Sequence, residues 1–371
     1  MPVPLLDLRA QHATIRDEVV TALMTVVEDQ SFILGAPVAK LEREVAALSR
    51  TRFAIGCANG SDALLIAMRA LDIGRGDEVI TTPFTFFASA GMIHNAGATP
   101  VFVDIDPGTF NIDPDAIRAA ITPRTKAIIP VDLFGQMAAL ERVAMVARGL
   151  PVIEDAAQTI GARRAIDGEW RMAGEIATIG TFSFFPSKNL GAWGDGGMVV
   201  TQDERLAQRM TRIRTHGGVK TYFHEEVGFN SRLDALQAAV LSAKLPHLAQ
   251  WSQRRRENAA YYTSAFEGVA GVVPPVIAPE NESIFNQYTI RIPGGRRDAL
   301  QAHLKAKGIG TNIYYPLPLH LQPCFAYLGY KEGQLPEAER ASHEVLSLPV
   351  FPELTRAQLD EVVAAVREFF A

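Results

Sequence analysis

Short apolar runs alternate with helical patterns through the first two thirds of this 371-residue chain. Runs that lack a polar face are typical of strands covered on both sides of a sheet. The predicted strands are 53–57, 78–81, 100–104, 126–130 and 151–155, with helices such as 62–71 and 113–120 between them. This alternation predicts an α/β fold in which helices cover a mainly parallel sheet.

Two further strands, 177–184 and 197–201, are joined through Lys188 and a glycine-rich turn. The alternation of strands and helices changes after about residue 245. A long helix then follows over 233–266, and Pro246 is expected to break or kink it. Beyond it we predict a strand at 288–292 and helices at 297–307 and 355–370. We therefore predict a large domain over 1–245 and a smaller α/β domain over 246–371.

The composition and charge of the chain disfavour several classes of function. A formal net charge of −5 does not favour a nucleic-acid surface, although a local basic patch stays open. The two cysteines, Cys57 and Cys324, are too few for a disulfide framework or a cysteine-rich zinc site, and the histidines lack metal-ligand spacing. There is no signal peptide pattern and no apolar run of about 18 residues. We expect a cytoplasmic protein with no metal, nucleic-acid or membrane partner.

Lys188 ends an apolar, strand-like stretch. Burial lowers the free energy of a neutral amine relative to the charged one, so such a lysine is a better nucleophile. That setting suits a Schiff base with an aldehyde cofactor such as pyridoxal 5′-phosphate (PLP). Taken alone, an ordinary solvated lysine is the commoner interpretation.

Further segments supply the groups that such a cofactor needs. Gly60 and Ser61 open a helix after a strand, which suits a phosphate or is an ordinary N-cap. Asp155 ends a predicted strand, where it can pair with a pyridinium nitrogen or cap the next helix. An aromatic residue of 82–89 can stack on a flat ring or belong to the core. Ser183 is placed to add a hydroxyl to a phosphate cup.

The joint pattern resembles the DegT/DnrJ/EryC1/StrS family of PLP-dependent sugar aminotransferases. The resemblance runs along nearly the whole chain through segments 32–35, 59–62, 76–79, 154–158, 183–188, 194–197, 228–232, 315–320 and 346–349. It implies fold type I, the fold of aspartate aminotransferase, whose large domain holds a mainly parallel seven-stranded sheet. It also implies an obligate homodimer with two shared active sites.

Carried over by position, the resemblance implies that Lys188 is the Schiff-base lysine and the proton shuttle. Asp155 then pairs with the ring nitrogen, Gln158 contacts the ring oxygen and Phe86 stacks on the ring. The implied phosphate ligands are Gly60, Ser61, Ser183 and, from the neighbouring subunit, Asn230. One departure is Asp132, where many relatives carry histidine, and it is assigned no role.

The implied reaction moves an amino group from glutamate, through pyridoxamine 5′-phosphate (PMP), to a nucleotide-linked keto sugar. The segment 215–232 resembles relatives that aminate the 3-keto position of dTDP- or UDP-sugars, which we favour over the C4 alternative. Candidate sugar or diphosphate contacts, each equally compatible with a structural role, are His224, Arg232, Tyr315 and His320.

Two other classes of function are compatible with an α/β pattern. A nucleotide-binding oxidoreductase is disfavoured because Gly-x-Gly-x-x-Gly and the P-loop signature are missing after the predicted strands. A non-catalytic regulator that binds PLP is the second alternative.

Overall fold

The computed structural model describes residues 2–371. Its strands are β1 (Phe53–Cys57), β2 (Glu78–Thr81), β3 (Thr99–Phe102), β4 (Thr125–Ile129), β5 (Ile153–Asp155), β6 (Arg163–Ile166), β7 (Glu169–Met172), β8 (Ile179–Ser183), β9 (Gly197–Thr201), β10 (Gly218–Lys220), β11 (Phe223–His224), β12 (Asn281–Glu282), β13 (Tyr288–Arg291) and β14 (Val345–Leu348). Its helices are α1 (Leu8–Asp29), α2 (Gly35–Leu48), α3 (Gly60–Ala70), α4 (Ala88–Asn95), α5 (Pro114–Ala120), α6 (Leu140–Ala147), α7 (Glu204–Ile213), α8 (Ala235–Lys244), α9 (Leu248–Phe266), α10 (Arg297–Ala306), α11 (Pro336–Glu344) and α12 (Arg356–Phe370).

Seven strands form the central sheet in the order β3-β2-β4-β5-β8-β9-β1. Two parallel bridges, Ile128 with Val152 and Val131 with Asp155, join its two halves between β4 and β5. Only β9 runs against its neighbours, since it pairs antiparallel with both β8 and β1. The predicted α/β fold with a mainly parallel seven-stranded sheet is confirmed.

Burial on both faces explains the apolar strands. All residues of β2 and β9 are buried, and helix α3 lies against the sheet with Leu64, Ile66 and Met68 enclosed. The side chain of Asn59 caps α3 by accepting from the Asp62 N–H at 2.8 Å. The loop before α3 is therefore fixed at the carboxyl end of β1, where a ligand crevice is expected.

The C-terminal part has its own core. Strands β13 and β14 pair antiparallel, and α9, α10 and α12 pack on them. The N-terminus joins this core, because the Val3 N–H donates to the Gly308 carbonyl and Val3 accepts from the Gly310 N–H. The division at residue 245 stays a prediction. The expected kink is present, since residues Leu245–His247 form a 3-10 turn between α8 and α9.

Some elements were not predicted from the sequence. Helices α1 and α2 pack against α8, and the small sheet β12-β6-β7 joins residues far apart in the chain. The short strands of that sheet are rich in arginine and glutamate, so they give no apolar alternation. Within residues 2–371, no helix has both the length and the apolar character that crossing a membrane requires.

Candidate active site

Lys188 and Asp155 come from neighbouring strands and lie at the same edge of the sheet. In the parallel pair β5 and β8, Asp155 lies beside Thr181, and Lys188 follows in the turn after β8. Burial lowers the pKa of Lys188 to about 8, and attraction to the Asp155 carboxylate opposes that shift. About a tenth of this lysine is therefore the neutral amine at about pH 7, far more than for an ordinary lysine.

Asp155 is enclosed but well supplied with donors. It is only 5% exposed, and its Oδ2 accepts from the Ser89 hydroxyl at 2.7 Å while Oδ1 accepts from the Ala157 N–H at 3.3 Å. Burial raises its pKa, and these two hydrogen bonds and the charge of Lys188 oppose the rise. The arrangement holds an anion where a protonated ring nitrogen can pair with it.

Gln158 is oriented by two contacts. Its Oε1 accepts from the Phe134 N–H at 2.6 Å, and its Nε2 donates to the Tyr315 hydroxyl at 3.3 Å. Burial raises the pKa of Tyr315, so the phenol keeps its proton. One amide hydrogen of Gln158 is left to meet a ring oxygen, as the resemblance implies.

The N-terminus of α3 and the end of β8 are packed closely together. A methyl group added at Gly60 would lie 2.6 Å from Ser183 Cβ, and one at Gly197 would lie 2.3 Å from the Asn59 carbonyl oxygen. The absence of both side chains brings the Ser183 hydroxyl beside the first N–H groups of α3. Gly60, Ser61 and Ser183 thus form a cradle suited to a phosphate.

Phe86 and Phe87 are both exposed, but their rings have different neighbours. The Phe86 side chain is 59% exposed and its ring centroid lies 6.5 Å from that of Tyr315. Phe87 is 44% exposed and stacks on the buried Phe325 at 5.6 Å. Phe86 is therefore the ring left to cover a cofactor, because Phe87 already stacks on another ring.

Residues 215–232 lie on the surface beside the phosphate cradle. The Ser231 hydroxyl donates to Asp62 Oδ2 at 2.6 Å, which anchors the segment to α3. Asn230 is exposed and Arg232 is half-buried. His224, in the exposed hairpin β10–β11, has its Nδ1 3.0 Å from the His216 carbonyl oxygen.

His320 has a structural position instead. Its side chain is fully enclosed, and Nε2 lies 3.0 Å from Oε1 of Glu339. Glu339 also accepts from the Leu335 N–H, so the pair fixes the start of α11. Burial lowers the pKa of His320, against the pull of Glu339. We leave His320 out of the substrate contacts because its side chain faces the protein interior.

Two hydroxyl groups of the site were missed in the sequence. Ser89 donates to Asp155, and Thr85 lies 3.1 Å from Ser89 through their hydroxyl oxygens. Both stand in segment 82–89, Thr85 in the loop before α4 and Ser89 in the first turn of that helix. No signal in the sequence marks this pair, because the loop that brings Thr85 back to Ser89 has no regular spacing.

The chemistry of these donors fits PLP. A partly neutral lysine would meet the aldehyde, a buried carboxylate would meet the ring nitrogen, and an oriented amide would meet the ring oxygen. Because Gly60 has no side chain, the N-terminus of α3 lies close enough to Ser183 for both to bind one phosphate. Fold and site together define a PLP-dependent aminotransferase of fold type I.

Comparison with known proteins identifies the family. A profile of the DegT/DnrJ/EryC1/StrS aminotransferase family matches residues 13–367. The chain is 55% identical to a pleiotropic regulatory protein of Geobacillus stearothermophilus, covering 100% of this chain and 99% of the relative. It is 47% identical to the UDP-N-acetyl-3-dehydro-alpha-D-glucosamine 3-aminotransferase of Acidithiobacillus ferrooxidans, covering 98% and 97%.

Solved structures agree. Streptomyces venezuelae DesV in complex with a ketimine intermediate superposes with a TM-score of 0.96 and 43% identity, covering 99% of this chain and 98% of that one. Bacillus subtilis ntda with bound PMP superposes with a TM-score of 0.89 and 30% identity, covering 99% and 83%. The chain belongs to the DegT/DnrJ/EryC1/StrS aminotransferase family. It is a PLP-dependent sugar aminotransferase, as its sequence predicted.

Proposed function

We propose that this enzyme transfers the amino group of glutamate to the 3-keto carbon of a nucleotide-linked sugar. The proposal rests on Lys188, whose amine is partly neutral and interacts with the buried Asp155 carboxylate. That carboxylate is stabilised by the Ser89 hydroxyl, the Ala157 N–H and the charge of Lys188. The choice of C3 is supported by the Acidithiobacillus relative, whose name places its amino group on C3 of a UDP-sugar. A 4-keto sugar is the alternative substrate.

Each residue of the site then has a defined task. Bound PLP supplies an electron sink for the charge that develops on a substrate carbon. Lys188 would hold the cofactor covalently and is the base placed to move a proton at the substrate carbon. Asp155 would keep a proton on the ring nitrogen, and Gln158 would bind the ring oxygen.

The substrate side is proposed to use polar groups that are half-buried or exposed. Arg232 offers a planar cation that pairs well with the diphosphate of a nucleotide sugar. Tyr315 presents its phenol beside Gln158, close to where the keto carbon must approach. His224 and Asn230 stand on the surface that faces away from their own chain's core, which suits contacts across a dimer.

A homodimer is proposed from a cluster of exposed apolar side chains. Phe32, Ile33 and Trp193 are 38%, 54% and 41% exposed. They surround the start of α8, because Ala235 donates its N–H to the Phe32 carbonyl and the Trp193 N–H donates to the Gln237 side chain. Exposed apolar clusters of this kind mark contact surfaces. A second copy of the chain would cover this cluster beside the active site, and we expect the dimer to be cytoplasmic.

The proposal is tested with purified enzyme, glutamate and a panel of nucleotide sugars. UDP- and dTDP-sugars with a 3-keto or a 4-keto group should be offered, and the amino sugar identified by mass and by NMR. We expect glutamate to convert the cofactor to its amine form and a 3-keto sugar to reverse that change.

Two outcomes would overturn parts of the proposal. Amination of 4-keto sugars alone would replace C3 by C4. A cofactor band that glutamate leaves unchanged would favour the regulator alternative, with Lys188→Ala as the control that removes the band.

A further inference from the structure

Two buried carboxyl groups, from Asp132 and Glu154, lie next to the active site without facing it. Asp132 follows β4, and Glu154 precedes Asp155 in β5. Both side chains are fully enclosed. Because neighbouring residues of a strand point to opposite faces, the Glu154 carboxyl lies on the other side of the sheet from Asp155. The proposed reaction uses neither group.

The donors around the two carboxyl groups are too few for two anions. Asp132 accepts from the Ala138 N–H and the Thr159 hydroxyl, each at 2.8 Å, and Glu154 Oε2 accepts from the Gly174 N–H at 3.0 Å. Among residues 2–371, no donor reaches Glu154 Oε1. The parallel bridge of Val131 with Asp155 puts Asp132 and Glu154 on the same face of adjacent strands, where their carboxyl groups act on each other. A proton on one of them supplies the missing hydrogen bond.

We propose that Asp132 and Glu154 form a dyad that shares one proton, and that this dyad positions Asp155 and Gln158. In the favoured form the protonated Glu154 donates to an ionised Asp132. The dyad therefore carries one negative charge rather than two. Two carboxylates at contact distance without water would repel strongly, so the proton is retained.

The turn at Asp132 explains how the dyad positions Asp155 and Gln158. The Asp132 N–H donates to the Asp155 carbonyl at 3.0 Å, and the Phe134 N–H in the same turn orients Gln158 at 2.6 Å. The Asp132 carboxylate closes this turn by accepting from Ala138. The shape of this turn is therefore coupled to Asp155 and Gln158, the two side chains expected to contact the cofactor ring.

The charges around the dyad support a single retained proton. Burial raises the pKa of Glu154 well above its usual range and that of Asp132 to about 6. Asp155, on the other side of the sheet, adds repulsion in the same direction. The charge of Lys188 acts on Asp155. The donors to the dyad, from Ala138, Thr159 and Gly174, are all neutral.

The first test compares cofactor-free wild type with Glu154→Gln by melting temperature against pH. A carboxyl whose folded pKa is raised stabilises the fold most below its unfolded pKa, and that contribution is lost as pH rises through the folded pKa. The wild type should therefore lose stability with rising pH, whereas the amide, which donates to Asp132 at every pH, should not. The melting temperature of Glu154→Gln relative to wild type should rise with pH.

Glu175→Gln is the matched control. Glu175 is also little exposed, but its carboxylate pairs with Arg171 and accepts from the Met172 N–H. Its loss should lower the melting temperature by an amount that hardly changes above about pH 6, since an ordinary carboxyl is ionised there. A Glu154→Gln difference equally flat with pH would overturn the shared proton.

An infrared measurement on the cofactor-free protein tests the proton directly. The carbonyl stretch of a protonated carboxylic acid should persist at neutral pH in wild type and vanish in Glu154→Gln. Its absence from wild type would contradict the proposal even if both proteins fold.

The positioning role is tested by PLP affinity. Asp132→Leu removes the acceptor for the Ala138 N–H, so PLP should bind about tenfold more weakly, a change of about 1.4 kcal/mol. Asp132→Asn keeps an acceptor there and should restore most of the affinity. Equal PLP affinity in wild type, Asp132→Leu and Asp132→Asn would refute the positioning role. If Asp132→Leu fails to fold, the shared proton is still tested by Glu154→Gln.

Discussion

The cofactor side of the active site and its nucleotide-sugar side are built differently. On the cofactor side, Asp155 and Gln158 are buried and are oriented by contacts within their own chain. On the proposed sugar side, Asn230 and His224 are exposed. The first group is oriented before any ligand binds, and in the function we propose the second would be completed by substrate and by a second subunit.

This difference in burial shows which residues a single chain can orient before ligands bind. Burying Asp155 without partners would be costly, so the fold surrounds it with Ser89, the Ala157 N–H and Lys188. The exposed side chains of Asn230 and His224 need no such support because water solvates them. Substitutions on the cofactor side should therefore have larger effects than those on the sugar side.

The largest effect is expected from Lys188→Ala. Removing both the covalent attachment and the base should lower kcat at least about 10³-fold. Loss of the cofactor's visible band and steady-state turnover measure it, and an unchanged melting temperature shows that the fold is intact. Full turnover by this variant would remove the basis of the mechanism.

Asp155→Asn should cause the second-largest loss of kcat. The amide keeps the shape and a hydrogen-bond acceptor but loses the charge that holds a proton on the ring nitrogen. Losing one preorganised electrostatic contact should lower kcat about 10²-fold. The glutamate half-reaction, followed by absorbance, checks this, and a loss smaller than that of a sugar-side variant would reverse the comparison.

Gly60→Ala tests the phosphate cradle. The added methyl group meets Ser183 Cβ at 2.6 Å, so we expect PLP to bind more than about tenfold more weakly and the fold to lose about 1–3 kcal/mol. Gly74→Ala is the matched control, because its nearest neighbour, the Ala96 carbonyl oxygen, lies 3.7 Å away. Titration with PLP and chemical denaturation measure both effects, and equal behaviour of the two variants would contradict the cradle.

The capture of PLP should depend on pH through Lys188. Only the neutral amine attacks the aldehyde, and the pKa of this lysine is lowered to about 8. The capture rate of cofactor-free enzyme should rise about tenfold between about pH 7 and about pH 9, because the neutral fraction grows by that factor. Stopped-flow absorbance measures the rate, and a rate still climbing steeply above that range would place the pKa at the usual value for lysine.

Arg232→Ala should have the smallest effect. Loss of one solvent-screened, charge-assisted hydrogen bond, worth about 1 kcal/mol, should raise KM for the nucleotide sugar about fivefold. The value of kcat and the glutamate half-reaction should stay unchanged. His320→Ala is the contrast, because it should lower the melting temperature through the loss of Glu339 as a partner rather than raise KM.

The sequence pattern located the main cofactor residues because the end of each apolar strand is visible in the chain. Lys188, Asp155 and the α3 turn all follow such runs. Ser89 and Thr85 were overlooked because hydroxyl residues near a helix start are common and gain meaning only beside Asp155. His320 was misleading for the opposite reason, since a histidine in a proline-rich loop gives no sign that its side chain is buried.

Periodicity and turn residues in the chain predicted a mainly parallel sheet and the order of its strands along the sequence, and the resemblance to the family implied that Lys188 carries the cofactor. These features depend on local residue order, which the sequence displays directly. The partners of Asp155, the orientation of Gln158 and the contact between Asp132 and Glu154 were decided only by the tertiary structure. Each of them joins residues from separate elements, and burial gives them their altered pKa values.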